Sequence, residues 1–458
     1  MKESQRNKII SFESAKFIFL TLMLVVTPFL SSGKSVTALI FLEMVAVLLL
    51  SLEILSPNHA GKLNLFTKTA LWFAVLSPVL YLIPLSLEVW QKLPGHSLYL
   101  PSIEWLSKNQ PQNLWLTASL VPQKTVHAVL TLLPLLAIFI ITVGLSQKKT
   151  LQLITMLLVV TSVQACIGLI QVANPEAINT LLGIKTGQGG AQGTYLNRDH
   201  FPALMYMMLP FCIGLLILGL TNQGYGGNSK HTEDNHKKFG YVLIIFSLII
   251  LVLVAGIGSR SRMGIALLLL ALILSLIFFI GTLGIKRLSV LSTVLFLSLI
   301  LVLATIGTTP IINRFLVHDP SLDARFKIFP AVLNGIADFF PVGSGPGTFQ
   351  EVFRIYHPPD IQRFVNHAHN DYLELVFEMG FVGIIITINL FISWIWGWSQ
   401  VVGLHRNDTF RFLKIAAGIS ILMVLIHCSM DFILHTPANA AIFTFLLAIF
   451  LKKNKYYT

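Results

Sequence analysis

Two histidines and two polar residues stand together in His367-Ala-His369-Asn370-Asp371, directly before an apolar run that opens at Tyr372. An imidazole titrates near neutral pH, so a histidine at this place can take a proton from a hydroxyl. Asn370 or Asp371 then either holds the ring or caps the helix that follows, and the residue types allow both. His367 and His369 are spaced i, i+2 and share a face only in an extended segment. Even with His357 or His318 as a third ligand they fit no known metal pattern, and the metal reading is set aside. Three arginine-bearing segments lie elsewhere: Asn197-Arg198-Asp199-His200, Ser259-Arg260-Ser261-Arg262 and Asp323-Ala-Arg325. Arginine presents a planar, permanently charged fork that binds phosphate oxygens in pairs. Converging on one cavity, these segments would neutralise a diphosphate and stabilise it as it leaves. The rival reading gives the same arginines to lipid headgroups or acidic loop residues. Glu374 and Glu378 are carboxylates available to pair with an arginine. His427, Asp431 and His435 recur every four residues and are predicted on one helical face. From there Asp431 can anchor an arginine or orient His369, or the three can form a proton relay.

These residues must be positioned by a chain that is 55% hydrophobic and only 11% charged, against about 25% charged in a soluble domain. That composition predicts an all-α integral membrane protein and a single polytopic domain over residues 1–458. About twelve segments are apolar and long enough to span: roughly 16–32, 36–55, 67–87, 125–146, 150–172, 200–221, 240–257, 262–283, 288–307, 372–398, 411–434 and 437–451. Between the ninth and tenth lies a large loop, 308–371, predicted to contain short helices and part of the site. The basic N-terminal stretch precedes an apolar run with no small-residue cleavage site, which predicts an uncleaved first span. Lys and Arg weigh towards the loops that share a side with the termini, placing both termini in the cytoplasm and the long loops outside. The net charge of +12 is spread over short loops, so it reads as a topology signal and not as a nucleic-acid surface. Seven of the eleven arginines fall on the outer side, where a phosphate-binding fork has a use. Cys166, Cys212 and Cys428 lie within apolar runs and read as packing residues. The polar, Gly-rich stretch 222–239 reads as a linker. Gly343-Ser-Gly345-Pro-Gly347 follows no predicted strand and contains Pro346, so it reads as a turn that folds the outer loop back over the membrane face and not as a nucleotide loop. Gly380 and Gly383 read as close-packing positions.

An arginine opening an apolar helix, the Pro341-Val-Gly343-Ser-Gly345-Pro-Gly347-Thr-Phe349 turn, and the His369-Asn370 run that leads through Leu373 and Glu378 to Gly380 and Gly383 resemble the signature region of the O-antigen ligase and O-antigen polymerase superfamily. Similar, too, are Leu82-Ile-Pro84-Leu before Trp90 and Leu93-Pro94-Gly95, Gly193-Thr-Tyr195-Leu-Asn197-Arg198, Ser259-Arg260-Ser261-Arg262, and Asp431-Phe-Ile-Leu434 before Pro437. The resemblance covers most of the chain and is strongest from about residue 190 onward. It implies a metal-independent, cofactor-free glycosyltransferase of the bacterial inner membrane with a periplasmic site. The donor it implies is a glycan on undecaprenyl diphosphate, and the acceptor a hydroxyl of lipid A-core or of a growing polysaccharide, among membrane lipids and with no nucleic acid. By motif position, His369 becomes the general base or acceptor-orienting group, and Arg198, Arg262 and Arg325 grip the diphosphate. Arg260, His367, Asn370, Asp371 and Asp431 are the substrate-binding candidates. Asp199 and His200 depart from the pattern, and Asp199 can hold Arg198 off the ligand.

Ligase and polymerase differ only in the acceptor, a second lipid-linked glycan in the polymerase, and the segment at 82–95 is similar to exopolysaccharide polymerases. A transporter or flippase of twelve spans is the reading from another class. It requires polar residues near span centres, whereas here they crowd one end.

Overall fold

The computed structural model of the chain describes residues 2–56, 63–110, 116–176, 180, 190–221, 232–306, 324–402, 404 and 408–453. Among these the fold is all-helical, 79% helix and no strand. The longer helices, in order, are α1 (Lys2–Val26), α2 (Val36–Leu55), α3 (Leu65–Leu80), α4 (Pro122–Gly144), α5 (Gln147–Ala173), α6 (Phe201–Leu220), α7 (Thr232–Gly258), α8 (Arg262–Leu283), α9 (Ile285–Ile306), α10 (Arg325–Phe339), α11 (Asp371–Val402), α12 (Thr409–His427) and α13 (Pro437–Leu451). Among the described residues nine helices are long and apolar enough to cross a membrane: α1, α2, α4, α5, α6, α7, α8, α11 and α12. The other three predicted spans correspond to shorter apolar helical stretches, Leu65–Leu80, Ser289–Ser298 and Pro437–Leu451. Residues 308–323 of the predicted large loop, with His318, and residues 222–231 of the predicted linker lie outside the described residues.

α6 is the central helix. It is apolar around its whole circumference, which suits a buried helix, and it packs against α7, α8 and α12 with residues 201–214 all buried. Peripheral helices instead leave large apolar side chains exposed, as Ile40, Met44, Val47 and Ile54 do on α2. A soluble chain would bury such a face; here it is the surface offered to lipid.

The glycine turn explains how the loop helix α10 is held against the spans. α11 is broken at Gly380, whose φ of 53° and ψ of −127° are not helical. Into that break the chain after α10 inserts: Ser344 and Gly345 donate backbone N–H bonds to the carbonyls of Phe377 and Glu378 at 3.1 and 2.8 Å, and Phe381 donates to the Pro341 carbonyl at 2.9 Å. The buried Glu378 carboxylate accepts from the backbone N–H groups of Gly347 and Phe349, each at 2.9 Å. The loop's polar backbone is thereby satisfied where it is buried from water, Ser344 and Thr348 being fully enclosed. Gly380 is thus a break, not merely a packing position, and Glu378 serves the turn and not an arginine.

A methyl at Gly380 would lie 2.1 Å from the Pro341 carbonyl oxygen, on a backbone whose φ already disfavours a side chain. Gly380→Ala is therefore expected to destabilise the protein by at least ~2 kcal/mol. Thermal unfolding in detergent measures this, with Gly240→Ala as the neutral control, since nothing lies within 4 Å of that position. An unchanged midpoint for Gly380→Ala would contradict the docking role of the turn.

Candidate active site

Ends of several helices meet on one face of the bundle. Asp371 N donates to the Cys428 carbonyl at 2.8 Å, tying the start of α11 to the turn after α12. Asn439, in the first turn of α13, donates to the His200 carbonyl at 3.2 Å, tying it to the start of α6. Between these ends lies a cavity of about 210 Å³ lined by Asp199, Ser261, Arg262, Met263, Ala324, Arg325, His369, His427 and Asp431. Arg262 and Arg325 are the first residues of α8 and α10. The partial positive charge of each helix N-terminus therefore adds to the guanidinium beside it, and both favour an anion.

Asp431 organises the cavity. Only 2% of it is exposed. One carboxylate oxygen accepts from His369 Nδ1 at 3.1 Å and lies 3.9 Å from His200 Nε2; the other is 3.7 Å from Arg325. Burial alone would raise this carboxyl, but the neighbouring His200 and His369 outweigh it and hold Asp431 well below the usual carboxylate range. A carboxylate can only accept, so His369 Nδ1 carries the hydrogen, and in the neutral ring the lone pair is then on Nε2. This is the arrangement of a general base whose tautomer is fixed by a buried anion. His369 itself has a φ of 52°, a left-handed conformation that costs about 1–2 kcal/mol outside glycine. Flanking bonds hold it there: Glu374 accepts from Ala368 N at 2.7 Å, and Asn370 is bonded on both sides.

The structure distributes the remaining sequence candidates. Asn370 Oδ1 accepts from the N–H groups of Tyr372 and Leu373, each at 3.0 Å, and its amide donates to the Ser429 carbonyl, so it caps α11 and clasps the turn after α12. Asp371 accepts from Leu434 N at 3.2 Å and meets His435 Nδ1 at 2.8 Å. Arg198 and Arg260 do not line the cavity, although Asp199 and Ser261 beside them do. Arg260 has a φ of 58°, and this turn between α7 and α8 brings Arg262 to the cavity wall. His367 pairs with Glu374 and stacks on Phe432, whose ring His369 meets edge-on.

The predicted helical face of His427, Asp431 and His435 is not formed. α12 ends at His427, Asp431 lies in the turn that follows, and His435 in a 3-10 turn, Ile433–His435. Asp431 Oδ1 also accepts from the Phe432 backbone N–H at 2.9 Å, a local bond that competes with helix continuation. His427 points instead to Tyr206, with Nδ1 at 3.0 Å from the hydroxyl.

Two participants are not visible as such in the sequence. Phe432 stacks on His367 at 4.3 Å between centroids, meets His369 and His200 edge-on at 5.0 and 4.7 Å, and carries the Lys34 ammonium 5.1 Å from its ring centre. Lys34 follows the left-handed residues Ser31, Ser32 and Gly33, which turn the chain after α1 into the site. Burial pulls its ammonium below the ordinary lysine value, against the opposing pull of Asp431 and Asp371. A single lysine among apolar residues carries no sequence signal.

Residues 246–388 match the family model described as O-antigen ligase, which supports the O-antigen ligase and polymerase superfamily. The matched stretch holds Arg262, Arg325, His369 and the glycine turn; Asp431 and His200 lie beyond it. No curated protein matches the chain.

Proposed function

We propose, from a chain whose residues 246–388 are of O-antigen ligase type, that the cavity transfers a glycan from a polyprenyl diphosphate to a sugar hydroxyl at the outer face of the bacterial inner membrane. The observation that carries this reading is the His369–Asp431 pair on the same cavity wall as two arginines placed at helix N-termini. The acceptor oxygen attacks the anomeric carbon while its proton passes to His369 Nε2. The bond from that carbon to the phosphate oxygen breaks, and the charge left on the diphosphate is taken up by Arg262, Arg325 and the ends of α8 and α10. Asp431 steadies the imidazolium. A diphosphate leaves without needing a proton, so one base and a cationic cradle suffice, with no metal in the step.

The cavity opens at helix ends and not at mid-span, which supports a surface transferase over an alternating-access transporter. Lipid A-core is the acceptor we favour, with a second lipid-linked glycan as the polymerase alternative. The test is purified protein with a polyprenyl diphosphate-linked oligosaccharide, with lipid A-core offered or withheld and products followed by mass spectrometry. Polyprenyl diphosphate release coupled to glycan on lipid A-core is expected. Glycan found on a second lipid-linked chain would make the protein a polymerase, and no release with either acceptor would refute the transferase reading.

A further inference from the structure

Beside Phe432, whose ring stacks on His367, lies a cluster that the transfer does not use. His367 Nδ1 is 2.8 Å from Glu374 Oε1, and His435 Nε2 is 3.2 Å from the same oxygen. The three candidate donor atoms lie within 4.8 Å of one another. We propose that His367, Glu374 and His435 form a divalent metal site, zinc by its donor set, with Asp371 behind it as the carboxylate that orients His435.

Two imidazoles and one carboxylate leave a fourth tetrahedral position open for water. Bonds of about 2.0–2.2 Å to nitrogen and oxygen put neighbouring ligand atoms about 3.3–3.5 Å apart. The 3.2 Å separation is close to that, the 2.8 Å one is shorter by about half an ångström or a little more, and all three atoms lie within 4.8 Å, so side-chain adjustment would admit the ion. It would take the place of the hydrogens that now join both rings to Glu374.

The outer shell is already built. Asp371 Oδ1 holds His435 Nδ1 at 2.8 Å, leaving Nε2 to face the ion, and Asp371 Oδ2 is fixed by Leu434 N at 3.2 Å. Glu374 Oε2 is fixed by Ala368 N at 2.7 Å. Such backing carboxylates and backbone donors fix ring orientation and tautomer at metal centres. With both rings neutral, two carboxylates give the cluster the charge that a dication cancels. The His435 side chain is 37% exposed and that of His367 26%, so an ion has a path from solvent, while Glu374 is enclosed.

Sequence spacing conceals this site because its ligands come from before α11, within α11 and sixty residues beyond. The histidine pair set aside for metal, His367 and His369, takes separate partners, Glu374 and Asp431. A bound ion would cross-link the start of α11 to the turn carrying Phe432 and Asp431. Its role is structural and lies outside the sugar-transfer step, so the metal site and the transferase reading stand or fall separately.

The experiment uses full-length protein in detergent, stripped with chelator, re-equilibrated with zinc and assayed by elemental mass spectrometry and by competition against a chromophoric zinc indicator. About one zinc per chain and a raised unfolding midpoint with zinc are expected for the wild type and for His369→Ala. Glu374→Gln and His435→Gln are expected to hold below about a tenth of that. Wild-type protein that retains less than about a tenth of an equivalent of zinc, manganese or cobalt, and whose midpoint ignores all three, overturns the proposal, whatever the folding of the variants. Full zinc retention in both Glu374→Gln and His435→Gln overturns it equally, by placing the metal elsewhere.

Discussion

His369→Ala is expected to lower the turnover number for glycan transfer by about 10²–10⁴-fold while leaving donor binding within a few-fold. Among the described residues the ring bonds Asp431, and it lines the cavity. Removing it therefore takes away proton acceptance and not the cradle for the diphosphate. Asp431→Asn should reproduce much of that loss. An amide at this position can present a donor to Nδ1, which favours the tautomer that places the hydrogen on Nε2 and removes the base. It also leaves the developing imidazolium without its anion. Because the two residues act as one unit, the double variant should lose little more than His369→Ala alone. Stopped-time transfer assays and separate donor-binding measurements check the series. Turnover within tenfold of wild type for His369→Ala, or fully additive losses in the double variant, would remove the dyad from the mechanism.

That dyad illustrates how far the sequence could be read. The His369-Asn370 motif, the three arginine segments and the twelve apolar runs are local signals, each contained within a short window, and every apolar run has a helical counterpart. What the windows could not show depends on contacts between distant segments. The spacing of His427, Asp431 and His435 suits a helix, yet the Asp431 carboxylate bonds its own Phe432 N–H, and Asn370 and Asp371 clasp Ser429 and Leu434 across the bundle. Those bonds draw the chain out of the helix and make Asp431 a turn residue aimed at His369. Glu374 and Glu378 look alike in sequence, four residues apart on one helix. One receives two histidine rings, the other two backbone N–H groups of the glycine turn. Only the insertion of that turn into α11 at Gly380 separates their roles. Arg198 matches its motif but does not reach the cavity wall, whereas Arg262 and Arg325 do, because each opens a helix whose axis ends there.

The second large effect is expected at those two arginines. Arg325→Ala and Arg262→Ala should each reduce kcat/KM for the lipid-linked donor by about 10²–10³-fold, the usual loss when one charge-stabilising group is withdrawn from a developing anion. Lysine at either position keeps the charge and loses the paired donors, so Arg→Lys should recover part of the loss and not all of it. The two sites need not respond identically. Arg325 also lies 3.7 Å from Asp431, so its removal alters the anion that orients His369, and its loss should appear in turnover as well as in donor binding. Arg262 opens α8 on the cavity wall, so its loss should fall more heavily on the step that cradles the diphosphate. Added inorganic pyrophosphate separates the cases: it should inhibit wild-type transfer competitively with the donor, and Arg262→Ala should weaken that inhibition. If both alanine variants kept wild-type kcat/KM and wild-type inhibition, the cavity would not be the diphosphate site, and His369 would have to act on a donor bound elsewhere.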